Sequence, residues 1–389
     1  MKNLTVFQYI TCLFLILATD SSICRMIFGA GGTAIIFLLL AILFAGRKIS
    51  LNYSILYVIF YIVLQFFSFF YNDGVWEDST WLFRDIVLIV ATYLYISSVS
   101  FYKFRIIFTN IVYVLCLLGI PIFLLNEVGL LPVYRVQVGN ESFRCFGIYT
   151  LGWTENFHRF SGIFHEPGSW QILLNLTLWL NADIIIGSNK LDKNQLFKYV
   201  VIIIGLLITF STGGYIAFAL YLIAFVVCKK FYGSFKYVLY IVLFLTIIFS
   251  LIILYNSDVV QNKLFGYHIS TETRTNNFNA CLRIASEHPF FGCGNNTRIF
   301  KAKSEAYGNL TSSAGVITYT AMLGFCWLFV FLFVVWKTAK RLYHRLVLQI
   351  LFIGAFLAMN MNEAITYTPL ISLFLIPFKT ENNQSKLIK

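Results

Sequence analysis

Charge is scarce in this chain. Only 12% of its 389 residues are Asp, Glu, Lys or Arg, five are His, and six are Pro. Soluble domains carry about 25% charged and about 45–50% apolar residues, so this scarcity excludes an ordinary soluble domain. The ten-residue alternation of a membrane β-barrel is missing. Internal repeats, low-complexity stretches and a zinc-type cluster of His and Cys are missing too. The eight Cys follow no spacing framework. Cys12, Cys116, Cys228 and Cys326 fall in apolar runs and read as packing residues. Cys145, Cys281 and Cys293 fall between runs, where a disulfide or free thiols are both open readings.

Apolar length is abundant. Hydrophobic residues make up 59% of the chain, and the mean hydropathy is +0.78. A spanning helix needs about 20 apolar residues, and lipid forces the backbone to satisfy its own hydrogen bonds. The expected fold is therefore all-α: a polytopic membrane bundle of twelve helices forming a single integral membrane domain over 1–389. The spans are expected near 4–19, 26–45, 51–70, 82–101, 106–125, 168–187, 199–211, 214–228, 237–255, 313–336, 346–361 and 365–378. The first is expected to stay uncleaved, because no small-residue cleavage site follows it.

The net charge of +12 would suit nucleic acid if it were clustered. Instead most of the 29 basic residues fall on one side of the twelve spans, from Lys2, Arg47 and Lys48 to Lys340, Arg341 and Arg345. The short connections opposite hold Arg25 against Asp20, Asp73, Glu77, Asp78 and Glu363. The positive-inside rule then puts both termini in the cytoplasm and predicts no nucleic-acid partner. Two connections are long, 126–167 and 256–312, and both fall outside. Long structured loops are where function concentrates.

The first long loop ends in RFSGIFHEPG (159–168). Pro167 suits the first position of the sixth span, which places Glu166 near its cap. Glu166 can satisfy the helix dipole, or serve as a general base held extended by the following proline. His165 stands beside it. Arg159 is suited to clamp a phosphate bidentately. In the second loop, NNFNACLRIASEH (276–288) has helical spacing and predicts a short amphipathic helix ended by Pro289. Gly292 and Gly294 then give a tight turn. Glu287 and His288 are further acid–base candidates, His288 also reading as a turn residue. Arg84 and Asp85 fall just inside the fourth span. Neighbours on a helix do not face one another, so they are not expected to pair, and Arg84 reads either as a diphosphate contact or as a snorkelling cation.

RFSGIFHEPG, FSTGGYIAF (210–218) and RTNNFNACLRIASEHPFFGCGNN (274–296) occur in this order. The set resembles the O-antigen polymerase and O-antigen ligase superfamily of bacterial envelope enzymes. Such proteins share an Arg-x-x-Gly-x-Phe segment before a helix, a Ser-rich turn between spans, and an Arg upstream of Pro-x-x-Gly-x-Gly. Arg159, Gly162, Ser211, Arg274, Pro289, Gly292 and Gly294 fit that pattern, over about residues 159–325, and Pro167 and Gly168 are the turn residues that open the helix after the first motif. The resemblance implies a fold like the class C glycosyltransferases, in the bacterial inner membrane with its site facing the periplasm. It implies that sugar chains on undecaprenyl diphosphate are transferred to a sugar hydroxyl, with neither metal nor cofactor. The absence of Asp-x-Asp agrees with this. Arg159, Arg274 and Arg84 would then meet the diphosphate, and Glu166, His165, Glu287 or His288 the acceptor proton. A chain-length regulator and a flippase are partners by the same implication. Ligases of the superfamily carry a His before the tenth span. Here LTSSAGVITYTAMLG (310–324) has none, which favours a polymerase making O antigen, capsule or exopolysaccharide. A transporter or flippase would show matched broken helices and midplane charges. No matched breaks are legible.

Overall fold

A computed structural model describes residues 6–45, 54–72, 80–138, 141–152, 159–187, 192–229, 269–294, 297–307, 315–361, 371–372, 376 and 378. Among these the chain is mostly helical. The helices are α1 (Val6–Leu17), α2 (Ile23–Ala45), α3 (Ser54–Tyr71), α4 (Thr80–Ser98), α5 (Phe101–Glu127), α6 (Pro167–Leu180) and α7 (Ala182–Gly187). They continue with α8 (Lys193–Leu207), α9 (Thr212–Cys228), α10 (Ile269–Glu287), α11 (Thr297–Ala306), α12 (Gly315–Leu342) and α13 (Leu346–Met361). Four of them, α2, α4, α5 and α12, are long and apolar enough to cross a membrane; α1, α3, α9 and α13 are shorter and apolar. The chain is a multi-pass membrane protein.

The helices follow the expected spans with informative differences. The span expected at 168–187 divides at Asn181 into α6 and α7. The span at 237–255 lies outside the described residues, as does most of 365–378. The mostly helical chain is consistent with the expected all-α membrane fold, and the first long loop adds a small sheet to it. There β1 (Tyr134–Val138), β2 (Glu141–Phe146) and β3 (Tyr149–Thr150) form an antiparallel sheet in that order. Tyr134 pairs with Cys145 and Cys145 with Thr150. The sheet satisfies backbone groups that a structureless loop would leave to water.

The expectation of unbroken helices needs correction. Two helices of the two halves are interrupted at glycines in similar conformations: α2 at Gly29 (φ 74°, ψ 165°) and α12 at Gly324 (φ 81°, ψ 174°). In transporters such breaks line a substrate path. The break in α12 is instead occupied by the chain's own turn, described below.

At the centre of the bundle is α6, all of whose residues are buried. A helix apolar on every side belongs in a core, and α6 nearly is one. Some of its polar side chains find local partners, as burial favours, while the Ser169 hydroxyl and the Trp170 and Trp179 indole N–H groups find none among the described residues. Thr177 donates to the Leu173 carbonyl at 2.7 Å. Asn175 donates to the Gly214 carbonyl of α9 at 3.1 Å. After α6, Asn181 donates to Thr109 at 2.9 Å and accepts from Tyr199 at 3.2 Å. At the end of the bundle rich in Lys and Arg, Arg105 grips both oxygens of Asp183 at 3.0 and 2.9 Å.

Candidate functional site

The segment RFSGIFHEPG is anchored along its length. Phe160 N–H donates to the Ile208 carbonyl at 3.1 Å, and Arg159 Nε donates to the Thr209 carbonyl at 2.9 Å. The Gly162 carbonyl accepts from Thr150 of β3 at 2.8 Å. Gly162 has φ +59°, and a Cβ there would fall 2.3 Å from the Trp170 ring, so the indole's packing demands glycine. Ile23 N–H donates to the Ile163 carbonyl at 2.9 Å, Ser22 and Phe164 form an antiparallel bridge, and His165 N–H donates to the Ser21 carbonyl at 2.8 Å.

Pro167 opens α6 and Glu166 is its N-cap residue, as the sequence predicts. The Glu166 carboxylate, however, makes no capping hydrogen bond. It stands half exposed, with His165 Nε2 at 3.9 Å from Oε1. The carboxylate is thus not consumed by the helix it begins.

A second helix begins beside it. Ser211 is the N-cap residue of α9, and its hydroxyl makes no capping bond either. The turn before it is tight: Phe210 has φ +48°, and Ser211 N–H donates to Thr209 Oγ1 at 3.3 Å. The first turn of α9 is Thr-Gly-Gly. A Cβ on Gly214 would fall 2.9 Å from the Gln171 side chain of α6, so the two helices start in close apposition. Helix N-termini present N–H donors and a partial positive charge. Two of them side by side, with Arg159 fixed on the turn before the second, form a concentrated electropositive feature. Sequence reading found Ser211 but missed Gly213 and Gly214; the signal was the glycine pair directly after a capping residue.

The Pro-x-x-Gly-x-Gly turn has a different role in the structure. It docks into the break in α12. Phe325 N–H donates to the Pro289 carbonyl at 2.7 Å, Cys293 N–H to the Ala321 carbonyl at 2.9 Å, and Gly294 N–H to the Met322 carbonyl at 3.0 Å. From α3, Ser68 donates to the Phe291 carbonyl at 2.6 Å and the Met322 carbonyl at 3.0 Å, and Asn72 donates to the Gly292 carbonyl at 3.2 Å. The turn therefore supplies the hydrogen bonds the interrupted helix lacks. Gly292 has φ +67°, and a Cβ on it would fall 2.2 Å from the Met322 carbonyl carbon. Ser68 and Asn72 are polar side chains in an apolar run, the one sequence signal that could have announced this joint.

Arg274 lies in the first half of α10, and its side chain is outside the described residues. The predicted short helix is longer than expected, and α11 follows it. Glu287, at the end of α10, is tied to α11: it accepts from the Tyr307 hydroxyl and lies 3.8 Å from Lys303 Nζ. Arg283 Nε is 3.7 Å away, and the Arg283 guanidinium stacks over the Tyr307 ring at 4.3 Å. The Tyr307 hydrogen bond, with Lys303, Arg283 and His288 adding charge, holds Glu287 below the usual carboxylate range. Partial burial and Lys303 likewise lower the His288 imidazole, against the opposing pull of Glu287. A carboxylate already accepting and depressed is a weaker base than one without such ties.

Arg84 and Asp85 correct the expectation that they do not pair. Arg84 Nε and Nη2 reach Asp85 Oδ1 at 2.8 and 2.5 Å. The long guanidinium curls back around the helix start, which the rule for adjacent positions does not consider. Both residues are buried. Cys145, Cys281 and Cys293 are free thiols. Burial pushes the Cys281 thiol up to about 11, even though Thr318 hydrogen-bonds to it. Among the described residues no group of three or more His, Cys, Asp or Glu is placed to hold a metal ion.

Residues 198–319 match the family model described as O-antigen ligase. The matched stretch contains Ser211, Arg274, Pro289, Gly292 and Gly294 and begins after RFSGIFHEPG. No curated protein matches the chain. Over residues 198–319 the chain is thus similar to the O-antigen ligase family, and its apolar helices mark it as a multi-pass membrane protein.

Proposed function

We propose that the protein is a polymerase of lipid-linked oligosaccharide repeat units. In this reading it works at the outer face of the inner membrane, with both termini in the cytoplasm and an undecaprenyl diphosphate donor. The observation that carries the reading is the apposition of two helix N-termini beside Arg159 and the Glu166 carboxylate, which makes no capping bond to its own helix. The diphosphate of the donor lies against the start of α9, where Thr-Gly-Gly leaves room for close approach, with Arg159 and Arg274 supplying positive charge. As the glycosidic bond to the diphosphate breaks, negative charge grows on the leaving oxygen, and fixed donors there lower the barrier. The acceptor sugar hydroxyl attacks the anomeric carbon. Its proton passes to Glu166, with His165 orienting the carboxylate. The products are the elongated glycan on the acceptor's carrier and free polyprenyl diphosphate.

The description of the matched family supports a second reading, transfer of the finished polymer to the lipid A core. Deletion of the gene separates the two. Loss of a polymerase leaves single repeat units on the core, and loss of a ligase leaves unattached lipid-linked polymer. Normal surface polymer in the deletion strain refutes both. Within the polymerase reading, Glu166→Gln at matched protein levels should lower transfer by about 10²–10⁴-fold, the usual span of general-base catalysis. Arg159→Ala should shorten the polymer. Full-length polymer from both variants would remove these residues from the site.

A further inference from the structure

A partly buried network of four charges joins three elements near RFSGIFHEPG. Asp20, in the turn between α1 and α2, pairs with Arg25 of α2 and lies 3.7 Å from Arg84 Nη1 of α4. Arg84 also binds Asp85. Both guanidinium groups face the Trp81 ring, Arg84 at 4.3 Å and Arg25 at 5.6 Å. Tyr319 of α12 is within electrostatic reach of all four charges. Two acids and two bases make the network formally neutral, so it is poorly suited to attract an anionic ligand. Its placement suggests another role.

The residue after Asp20 is strained. Ser21 has φ +72°, a left-handed conformation rare outside glycine. Its carbonyl accepts the His165 N–H, and Ser22 and Ile23 then pair with Phe164 and Ile163. Ser22 in turn donates its hydroxyl to the Leu17 carbonyl at the end of α1. The strained turn is thus pinned by ion pairs through Asp20 and is bonded to Ile163, Phe164 and His165, the residues that lead into Glu166.

We infer that Asp20 is a positioning residue: paired with Arg25 and Arg84, it holds the Ser21–Ile23 backbone so that the neighbouring segment presents His165 and Glu166 to the substrate. The inference rests on the polymerase reading for its catalytic consequence, and on contacts alone for its mechanical part. Arg84 then serves the site through Asp20 and does not touch the diphosphate. A misplacement of about 1 Å can cost about 10²-fold in rate, so loosening this bridge acts on turnover.

The test uses the full-length protein in nanodiscs, with a polyprenyl-diphosphate-linked oligosaccharide as substrate. Asp20→Asn should lower kcat at least about tenfold and leave KM for the donor within about twofold, with Asp20→Glu recovering part of the loss. In the same protein, amide exchange of Ile23 and His165 should accelerate at least about tenfold, because opening the bridge frees both donors. Arg25→Gln, at the more exposed end of the network, should give the same pattern more weakly and serves if Asp20→Asn does not fold. Unchanged exchange at Ile23 and His165 would overturn the inference whatever the activity. Accelerated exchange with an unchanged kcat would overturn it as well. A wild-type protein without transfer activity would refute the polymerase reading, while exchange, which needs no substrate, still decides the mechanical link.

Discussion

Replacing Gly292 with alanine tests how the Pro-x-x-Gly-x-Gly turn is held. The added methyl meets two obstacles. Gly292 has φ +67°, which costs an L-residue about 1–2 kcal/mol. Its Cβ would also lie 2.2 Å from the Met322 carbonyl carbon and 2.4 Å from the Leu323 nitrogen. Those are backbone atoms, so no rotamer change relieves the overlap, and forced displacement of packed groups costs about 1–3 kcal/mol more. The sum is about 2–5 kcal/mol, enough to lift the turn out of the break in α12. Gly129→Ala, just after the end of α5, is the control. It has φ +72° but nothing within 4 Å of its Cβ, so only the conformational cost applies. Thermal unfolding of both variants in detergent, with amide exchange at Cys293, Gly294 and Phe325, reads the difference. Gly292→Ala should unfold at the lower temperature and expose those three amides. Equal unfolding temperatures in the two variants would refute the docking account.

Two further outcomes follow from the same joint and its neighbour. Ser68→Ala removes the hydroxyl that donates to the Phe291 and Met322 carbonyls and should cost about 1–3 kcal/mol in unfolding experiments. The packing of α10 against α11 should weaken in acid. His288 and Glu287 both release protons more readily in the folded protein, so their contribution is complete above the ordinary His value of 6.5. It falls as His288 protonates below that pH, and again as Glu287 protonates below the ordinary carboxylate value of 4.5. Amide exchange across 269–307, corrected for its intrinsic pH dependence, should rise in those two steps, and His288→Asn should remove the first.

Helix boundaries were legible wherever a local stop signal fixed them. Pro167 opens α6, and Pro289 follows the end of α10, because proline's missing N–H and fixed φ act without tertiary help. The sheet was less so, although its signal was present: YRVQV and ESFRCF are short runs with strand-like alternation. The breaks in α2 and α12 were hidden, since glycine is common in spanning helices and only the docked turn reveals Gly324 as an interruption. At the site, Arg159, Glu166 and Ser211 stood out as polar residues beside punctuation. Asp20, Ser21 and Ser22 did not, because their role exists only through pairing with a segment some 140 residues away. Arg84 was visible as a charge in an apolar run, but its partner across the turn was not.

The central claim is that this protein joins lipid-linked repeat units to one another. Purified wild-type protein in proteoliposomes, supplied with a single polyprenyl-diphosphate-linked repeat unit and no other acceptor, tests it directly. The account predicts a ladder of glycans at multiples of the repeat, with one free polyprenyl diphosphate released per bond formed. A folded protein that leaves the single repeat unextended would contradict it.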